Sequence, residues 1–589
     1  MKLLFFAPFS GIWPHAALEA RLAVALQQRG HDVVYVTCGG ALHRHCVVMA
    51  SMQLAADARE TERNEVCRSC TARANSVRSA FGLRGPQLGE ILGVGAINQI
   101  HERIDHSEDH ALLVSTWDGL PVGRRALFPF LLYHKKDDLE FSPAQWRAYR
   151  DQLYQTMLSV SAARQLISQY HPDAVLTYSA TYSVISAFLE VARDAGVADY
   201  FFEACGNHAY RDHRAILGRA SILEWYLYLR SVWATLGQQP ARPALIGEVG
   251  DHLDNLFNSR TAFAYSTASS LRSDPLRKML GAEDDTKILL ATLSSHDELF
   301  ASVEAELVPR PTFVFASQLK WLDWLLEYVA ARPQLHLVIR VHPREFPNRR
   351  DKADLISTHA KRLQQRLINL PPNCFVNWPD QNLSLYDLAK DVDVVLNAWS
   401  SAGKEMGLLG LPVVEWATEV LLYQPDERYC ATDHDSYRSC IEKALADGWD
   451  GGTVRKLFRW CALEYGAATF VTGPLVKSPG IYDRLANFAC RIARKFGGIR
   501  VDALLARSES VDNASLEAIE AAIRKRQPAL INQLDFSNAA EPAEAAALAR
   551  QIRRMVNTLF DSAGGVENKL KKNLLCFAES LEREAARPL

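Results

Sequence analysis

An apolar run, a helical stretch and a second apolar run succeed one another at the start of the chain, and the same order returns after residue 285. Lys2–Pro8 is continuously apolar, the pattern of a strand covered on both faces. Ala16–Gln28 repeats its apolar residues at helical spacing and ends at Gly30, a residue suited to the left-handed turn that closes a helix. His31–Cys38 reads as a second strand. Strand, helix and parallel strand in such close order form a βαβ unit, whose crossover is right-handed. Further strands are expected at Ala111–Trp117, Pro172–Tyr178 and Ala198–Glu203, with helices at Ser142–Tyr170 and Thr181–Ala195. Beyond the charged turn at 281–285, strands are expected at Lys287–Leu293, Thr312–Ala316, Leu335–Val341, Cys374–Trp378, Val392–Ala398 and Pro412–Trp416. Helices at Lys320–Ala331 and Asp354–Ile368 fall between them. Two successive alternations predict an α/β protein with two Rossmann-like domains facing a cleft, over 1–280 and 281–480. From 481 to 589 the chain is expected to be a helical region.

At 589 residues the chain exceeds one ordinary core. Its 66 basic and 68 acidic side chains leave a net charge of −2, which gives no electrostatic case for nucleic acid. The first residues, MKLLFFAPFS, stop their apolar run at Pro8 and lack a small-residue cleavage pattern, so a buried strand is expected there and no signal peptide. No apolar run reaches the roughly 18 residues a membrane span needs. Eleven scattered cysteines favour a reducing cytoplasm over a disulfide framework.

Polar clusters stand where the predicted strands end. In an open parallel sheet that edge is where ligands bind. His342-Pro343-Arg344-Glu345 follows one strand, and Ser400-Ser401-Ala402-Gly403-Lys404-Glu405 follows another and opens a helix. Hydroxyls and amides at a helix start suit phosphate, and Glu405, one turn further, could accept both hydroxyls of a ribose. The same residues could simply be an N-cap and a first-turn acid. Ser294, at the end of the first strand of the second half, is placed to meet a phosphate. In the first half, His15 opens a helix directly after the first strand; a neutral imidazole there is suited to accept a proton. Asp118, in Thr116-Trp117-Asp118-Gly119, competes as a base, although an Asp-Gly pair is more often a plain turn. Glu203-Ala204-Cys205-Gly206-Asn207-His208 ends the last strand of this half and is expected to border the same cleft.

With these residues in view, the layout resembles a GT-B glycosyltransferase: the SGIWPH loop and RGHDVVYVTC strand in the first half, the S-x-x-x-x-E…G-x-P-V helix in the second. Within that fold, VIRVHPRE followed by WSSAGKEMGLLGLPVV is similar to bacterial capsule polysaccharide biosynthesis glycosyltransferases, Kdo transferases among them. The resemblance implies a nucleotide-sugar donor (CMP-Kdo or another CMP-, UDP- or GDP-sugar) held by His342, Ser400, Ser401 and Glu405, and the strand-end positions add Arg344, Gly403 and Ser294 as expected binding residues. It implies a saccharide or glycolipid acceptor, with the base, His15 or Asp118, in the first domain. Related sialyltransferases carry an acidic-acidic-Gly motif where this chain has Trp117-Asp118-Gly119, so the choice of base stays open. No cofactor is expected beyond the donor, and no catalytic metal: Asp391-Val392-Asp393 lies at the start of its strand, on the wrong edge for a metal-held diphosphate. Two alternatives keep the same nucleotide site, a GT-B-fold sugar-nucleotide epimerase and a non-catalytic scaffold of a polysaccharide assembly complex.

Three further features bear on location and partners. Cys67-Arg68-Ser69-Cys70, with Cys38 and Cys46 upstream, has the residue types of a zinc knot, but a second C-x-x-C is missing. Arg484–Arg500 reads as a basic amphipathic helix that could lie on the anionic inner face of the cytoplasmic membrane, or pack between domains. The remainder of the tail could form an oligomerisation or partner-binding module.

Overall fold

The computed structural model describes residues 1–261, 263–270, 276–348, 354–473, 511–532, 536, 539–560 and 568–587. Its first sheet has the strand order β11-β5-β4-β3-β1-β2, with β1 Lys2–Ala7, β2 Asp32–Thr37, β3 Ala174–Tyr178, β4 Ala198–Ala204, β5 Arg214–Gly218 and β11 Phe470–Val471. β2, β1, β3 and β4 run parallel; β5 turns back against β4, and β11 pairs antiparallel with β5. The continuous apolar pattern of β1 has a direct cause. Leu4 and Phe6 enter the core on one face, with Val175 and Phe201. Leu3 and Phe5 enter a separate core on the other, with Tyr35 and Tyr200.

The second sheet, in the order β10-β9-β6-β7-β8, is parallel throughout. Its strands are β6 Lys287–Thr292, β7 Leu335–Arg340, β8 Cys374–Asn377, β9 Val394–Asn397 and β10 Val413–Glu415. It too is covered on both sides: Leu289, Ile339 and Leu396 face one cluster, Ile288, Val338 and Val395 the other. Two doubly covered Rossmann-like sheets facing a cleft, with a chain end that returns to the first, make this the GT-B architecture.

Two expected strands are corrected. Ala111–Trp117 is not a strand: Asp109–Leu112 is a short helix, followed by a tight turn in which Trp117 and Leu120 exchange backbone hydrogen bonds. Leu112 and Leu113 are apolar because they pack into the helical core beside Tyr149, whose hydroxyl donates to the Leu112 carbonyl. Thr312–Ala316 is also irregular. Pro311 removes a ladder donor just before it, and Phe313 and Phe315 are spent packing against Trp399 and Trp416. Strand β5 was not anticipated. It is short and ends in Gly218, where a Cβ would come within 2.8 Å of Trp225 and 2.9 Å of Phe201.

The described part of the tail packs on this body. The Asn513–Arg524 helix lays Leu516, Ile519 and Ile523 on the outer core of the first sheet. Glu541–Leu559 runs along the Pro243–Phe257 helix and pairs with Lys569–Ala585. The expected basic helix at 484–500 lies outside the described residues. Among those described, no helix is long and apolar enough to cross a membrane.

Candidate nucleotide-binding site

A cavity of about 240 Å³ opens where β6 and β7 end, between the second unit and the segment that leads into it. Thr292 and Arg340 come from the last positions of those strands, His342 from the turn after β7, and Ser400, Ser401 and Glu405 from the start of the Ser401–Leu408 helix. His208 and Tyr265 close the opposite wall. The ligand-facing edge of a parallel sheet is thus lined by hydroxyls, imidazoles and a guanidinium.

Each side chain is held locally. Ser400 caps its helix, accepting from the Ala402 amide at 3.3 Å. Glu405 accepts from the Tyr386 hydroxyl at 2.8 Å on one oxygen and from the Ser401 hydroxyl at 3.1 Å on the other. Burial pushes its carboxyl above the usual carboxylate range, against the pull of those hydroxyls and of Lys404 and Arg340. Arg340 donates to Asn377 Oδ1 at 2.5 Å and to the Leu383 carbonyl at 2.9 Å. Burial lowers it to about 10, so it remains charged at neutral pH. His342 accepts from the Arg344 amide through Nδ1 at 3.3 Å, which leaves Nε2 as the protonated nitrogen of its neutral form. Its ring lies edge-on to Tyr265, centroids 5.2 Å apart.

Of the residues expected around the nucleotide, four line this cavity: His342, Ser400, Ser401 and Glu405. Three do not. Arg344 turns toward the seam with the first unit, where it pairs with Asp297 at 3.0 Å and Glu298 at 3.2 Å. Ser294 is buried as a turn fastener, accepting from the Trp399 amide at 3.1 Å while its own amide donates to Gln318. Gly403 faces the back of its helix, where a Cβ would stand 2.1 Å from the Tyr423 hydroxyl and 2.5 Å from Asn397 Nδ2. Its role is close approach. Gly403→Ala is expected to cost about 1–3 kcal/mol of stability through overpacking, measured by urea unfolding, and to displace the helix start that carries Ser400 and Glu405.

On the first unit, His15 lies at the start of the Trp13–Gln28 helix, stacked on Tyr178 with centroids 3.9 Å apart. Burial lowers its pKa to about 3, and its Nδ1 is buried without a partner. Neither His15 nor Asp118 lines the 240 Å³ cavity. Asp118 stands on an exposed turn with φ +48°, and the guanidinium of Arg164, which also lies 3.6 Å from Asp194, donates to its carbonyl. Asp194 ends its helix at the edge from which β4 starts, so Asp118 belongs to the rim away from the ligand-facing edge. Glu203, at the end of β4, is a group the sequence marked only as a neighbour of the cleft. Burial raises its carboxyl while Ser179 and Arg211 oppose the shift.

Residues that motif reading missed are Arg340, Tyr386 and Tyr265. The one signal available was an arginine ending a mostly apolar strand. The four cysteines Cys38, Cys46, Cys67 and Cys70 do surround one small cavity, of about 20 Å³. Burial pushes the Cys38 and Cys46 thiols up to about 12, which keeps them protonated. No three of the four sulfurs approach within 4.8 Å of one another.

No protein-family model matches the chain, and no curated protein matches it in sequence. In fold it is similar to KpsC, a beta Kdo 2,4 transferase of Thermosulfurimonas dismutans, at 14% identity over 54% of this chain and 87% of that one, with a TM-score of 0.31. It is also similar to the UDP-GlcNAc 2-epimerase of Neisseria meningitidis bound to UDP-GlcNAc, at 12% identity over 84% and 100%, TM-score 0.22. The glycosyltransferase SnogD of Streptomyces nogalater matches at 13% identity over 79% and 95%, TM-score 0.22. All three are distant likenesses of fold.

Proposed function

We propose that the protein is a GT-B glycosyltransferase that binds a nucleotide-sugar donor in the cavity at Ser400 and Glu405. One observation carries this reading. Both oxygens of Glu405 already accept hydroxyl hydrogen bonds, from Tyr386 and Ser401, at the ligand-facing edge of a parallel sheet. A ribose diol offers the same kind of donor, and the helix start beside it offers amides to phosphate. Arg340 and His342 supply positive charge and a donor toward the departing phosphate, which lowers the barrier by stabilising charge as it develops.

The base in this proposal is His15. Burial keeps its ring neutral at pH 7, the form that can take the proton of an acceptor hydroxyl as that oxygen attacks the anomeric carbon. Asp118 is set aside for its position. The motif resemblance favours an acidic sugar such as Kdo as the group transferred, and a bacterial surface polysaccharide or glycolipid as acceptor.

The test is thermal unfolding with CMP, CDP, UDP and GDP added separately. One of them is expected to raise the midpoint by several degrees at saturating ligand. A protein that responds to none would sink the donor site. His15→Ala is expected to keep that response and lose transfer by roughly 10²-fold or more, the usual share of a general base. Turnover of the donor with no acceptor present would point instead to an epimerase.

A further inference from the structure

On the seam between the two units, outside the lining of the donor cavity, three metal-ligating side chains meet. Asp137 follows the Val122–His134 helix of the first unit; His296 opens the His296–Glu304 helix and His359 lies in the Thr358–Arg366 helix of the second. Their ligand atoms lie within 4.8 Å of one another, the one such group among the described residues. The Asp137 and His359 side chains are 1% and 2% exposed.

The three groups are drawn together without being bonded together. Asp137 Oδ2 is 3.9 Å from His296 Nε2 and 3.7 Å from His359 Nδ1, beyond hydrogen-bonding reach. Asp137 Oδ1, His296 Nδ1 and His359 Nε2 are buried with no partner. The ring nitrogens turned toward Asp137 Oδ2, His296 Nε2 and His359 Nδ1, are the ones an ion would meet, and an ion or water is the usual occupant of such a polar gap. Tetrahedral zinc with bonds of about 2.1 Å separates its ligands by about 3.4 Å, so closing the two gaps to Asp137 takes movements of a few tenths of an ångström, and the two imidazoles start no more than 4.8 Å apart. Arg362 donates to the same Asp137 Oδ2 at 2.7 Å; that oxygen keeps a second lone pair for an ion, and Oδ1 is buried without a partner.

We propose that Asp137, His296 and His359 bind a divalent transition-metal ion, with zinc the best match to two imidazoles and a carboxylate, and that the ion clasps the two units together. Lys135, two residues before Asp137, shows that the seam is already fastened here: its ammonium donates to the Arg344 carbonyl at 2.8 Å, and its carbonyl accepts from the Thr358 amide at 3.2 Å. The ion would add a stronger and reversible fastening at the same place. Its position is separate from the nucleotide cavity, and the proposal stands whether or not that cavity binds a sugar nucleotide.

The full-length protein, free of any histidine tag and never exposed to chelator, is expected to carry about one equivalent of zinc by elemental mass spectrometry. Replacing that ion with cobalt(II) should give the visible ligand-field bands of a nitrogen- and oxygen-bound tetrahedral ion. Asp137→Asn and His359→Gln, which preserve shape, should each weaken binding by at least tenfold and abolish the rise in unfolding temperature that added zinc produces. Cys67→Ser is the control for the thiol cavity. An ion that survives His359→Gln and disappears in Cys67→Ser, or cobalt bands with thiolate charge-transfer intensity, would overturn the proposal. So would a protein that binds neither zinc nor cobalt and does not change its unfolding temperature with either.

Discussion

Glu405→Ala is expected to abolish the thermal response to any nucleotide that stabilises the wild-type protein. The expected loss of affinity is about 100-fold, because two hydrogen bonds to a charged acceptor contribute roughly 1.5–3 kcal/mol each and the coupling between them is incomplete. The substitution also frees the Tyr386 and Ser401 hydroxyls that Glu405 now holds. Stability must therefore be measured beside binding, by urea unfolding without ligand. Glu405→Gln separates the two effects. It keeps the shape and one acceptor oxygen, so it is expected to unfold nearly as the wild type does while binding nucleotide roughly tenfold more weakly, the loss of one charge-assisted bond. A Glu405→Ala protein that keeps wild-type nucleotide affinity while folding normally would remove the donor from this cavity.

The largest effect on stability is expected at a tail residue distant from the chemistry. Glu544 is 0% exposed and takes both nitrogens of Arg459 in a paired geometry, Nε and Nη2 each at 2.6 Å. It also accepts from the Ala241 amide at 2.9 Å, while Arg459 donates to the Gly237 carbonyl. Glu544→Ala strands an arginine that is only 9% exposed, and removing one partner of such a buried pair costs about 3–5 kcal/mol. The measurement is the denaturant midpoint. An apolar replacement of both partners, Glu544→Leu with Arg459→Met, is expected to recover most of that loss, since the penalty lies in the unpaired charge. A Glu544→Ala midpoint within error of wild type would mean that water reaches Arg459 and that the tail is a dispensable covering.

The fold was legible in this chain where one physical demand dominated. Strands buried on both faces must be apolar at every position, and β1, β6, β7 and β9 announce themselves that way. An apolar run alone does not distinguish a pleat from a packed helix end. That ambiguity misplaced Ala111–Trp117, where Leu112 and Leu113 serve a helical core. At the site, the Ser400–Glu405 cluster could be read because helix start, hydroxyls and acid are contiguous. Arg340 and Tyr386 could not, because they reach the cavity from different elements and meet only in three dimensions. Arg344 shows the converse. It shares a turn with His342 but points the other way, into ion pairs with the acidic first turn of the neighbouring helix. Adjacency in sequence predicts a shared loop, not a shared direction.

The return of Phe470–Val471 to the first sheet has a mechanical consequence. A cleft whose walls share one connection can open like a book. Here the chain passes from the first unit to the second ahead of β6, comes back at β11, and sends its last helices along both: Arg459 to Glu544 and Arg455 to Glu584 on one side, Arg554 to Asp251 on the other. With its walls laced at several points, the cleft is left mainly a twist about the lacing, with little room for a wide gape. Anything that binds in a cleft strung this way must enter through its open rim, and the ease of leaving depends on how far that twist can relax.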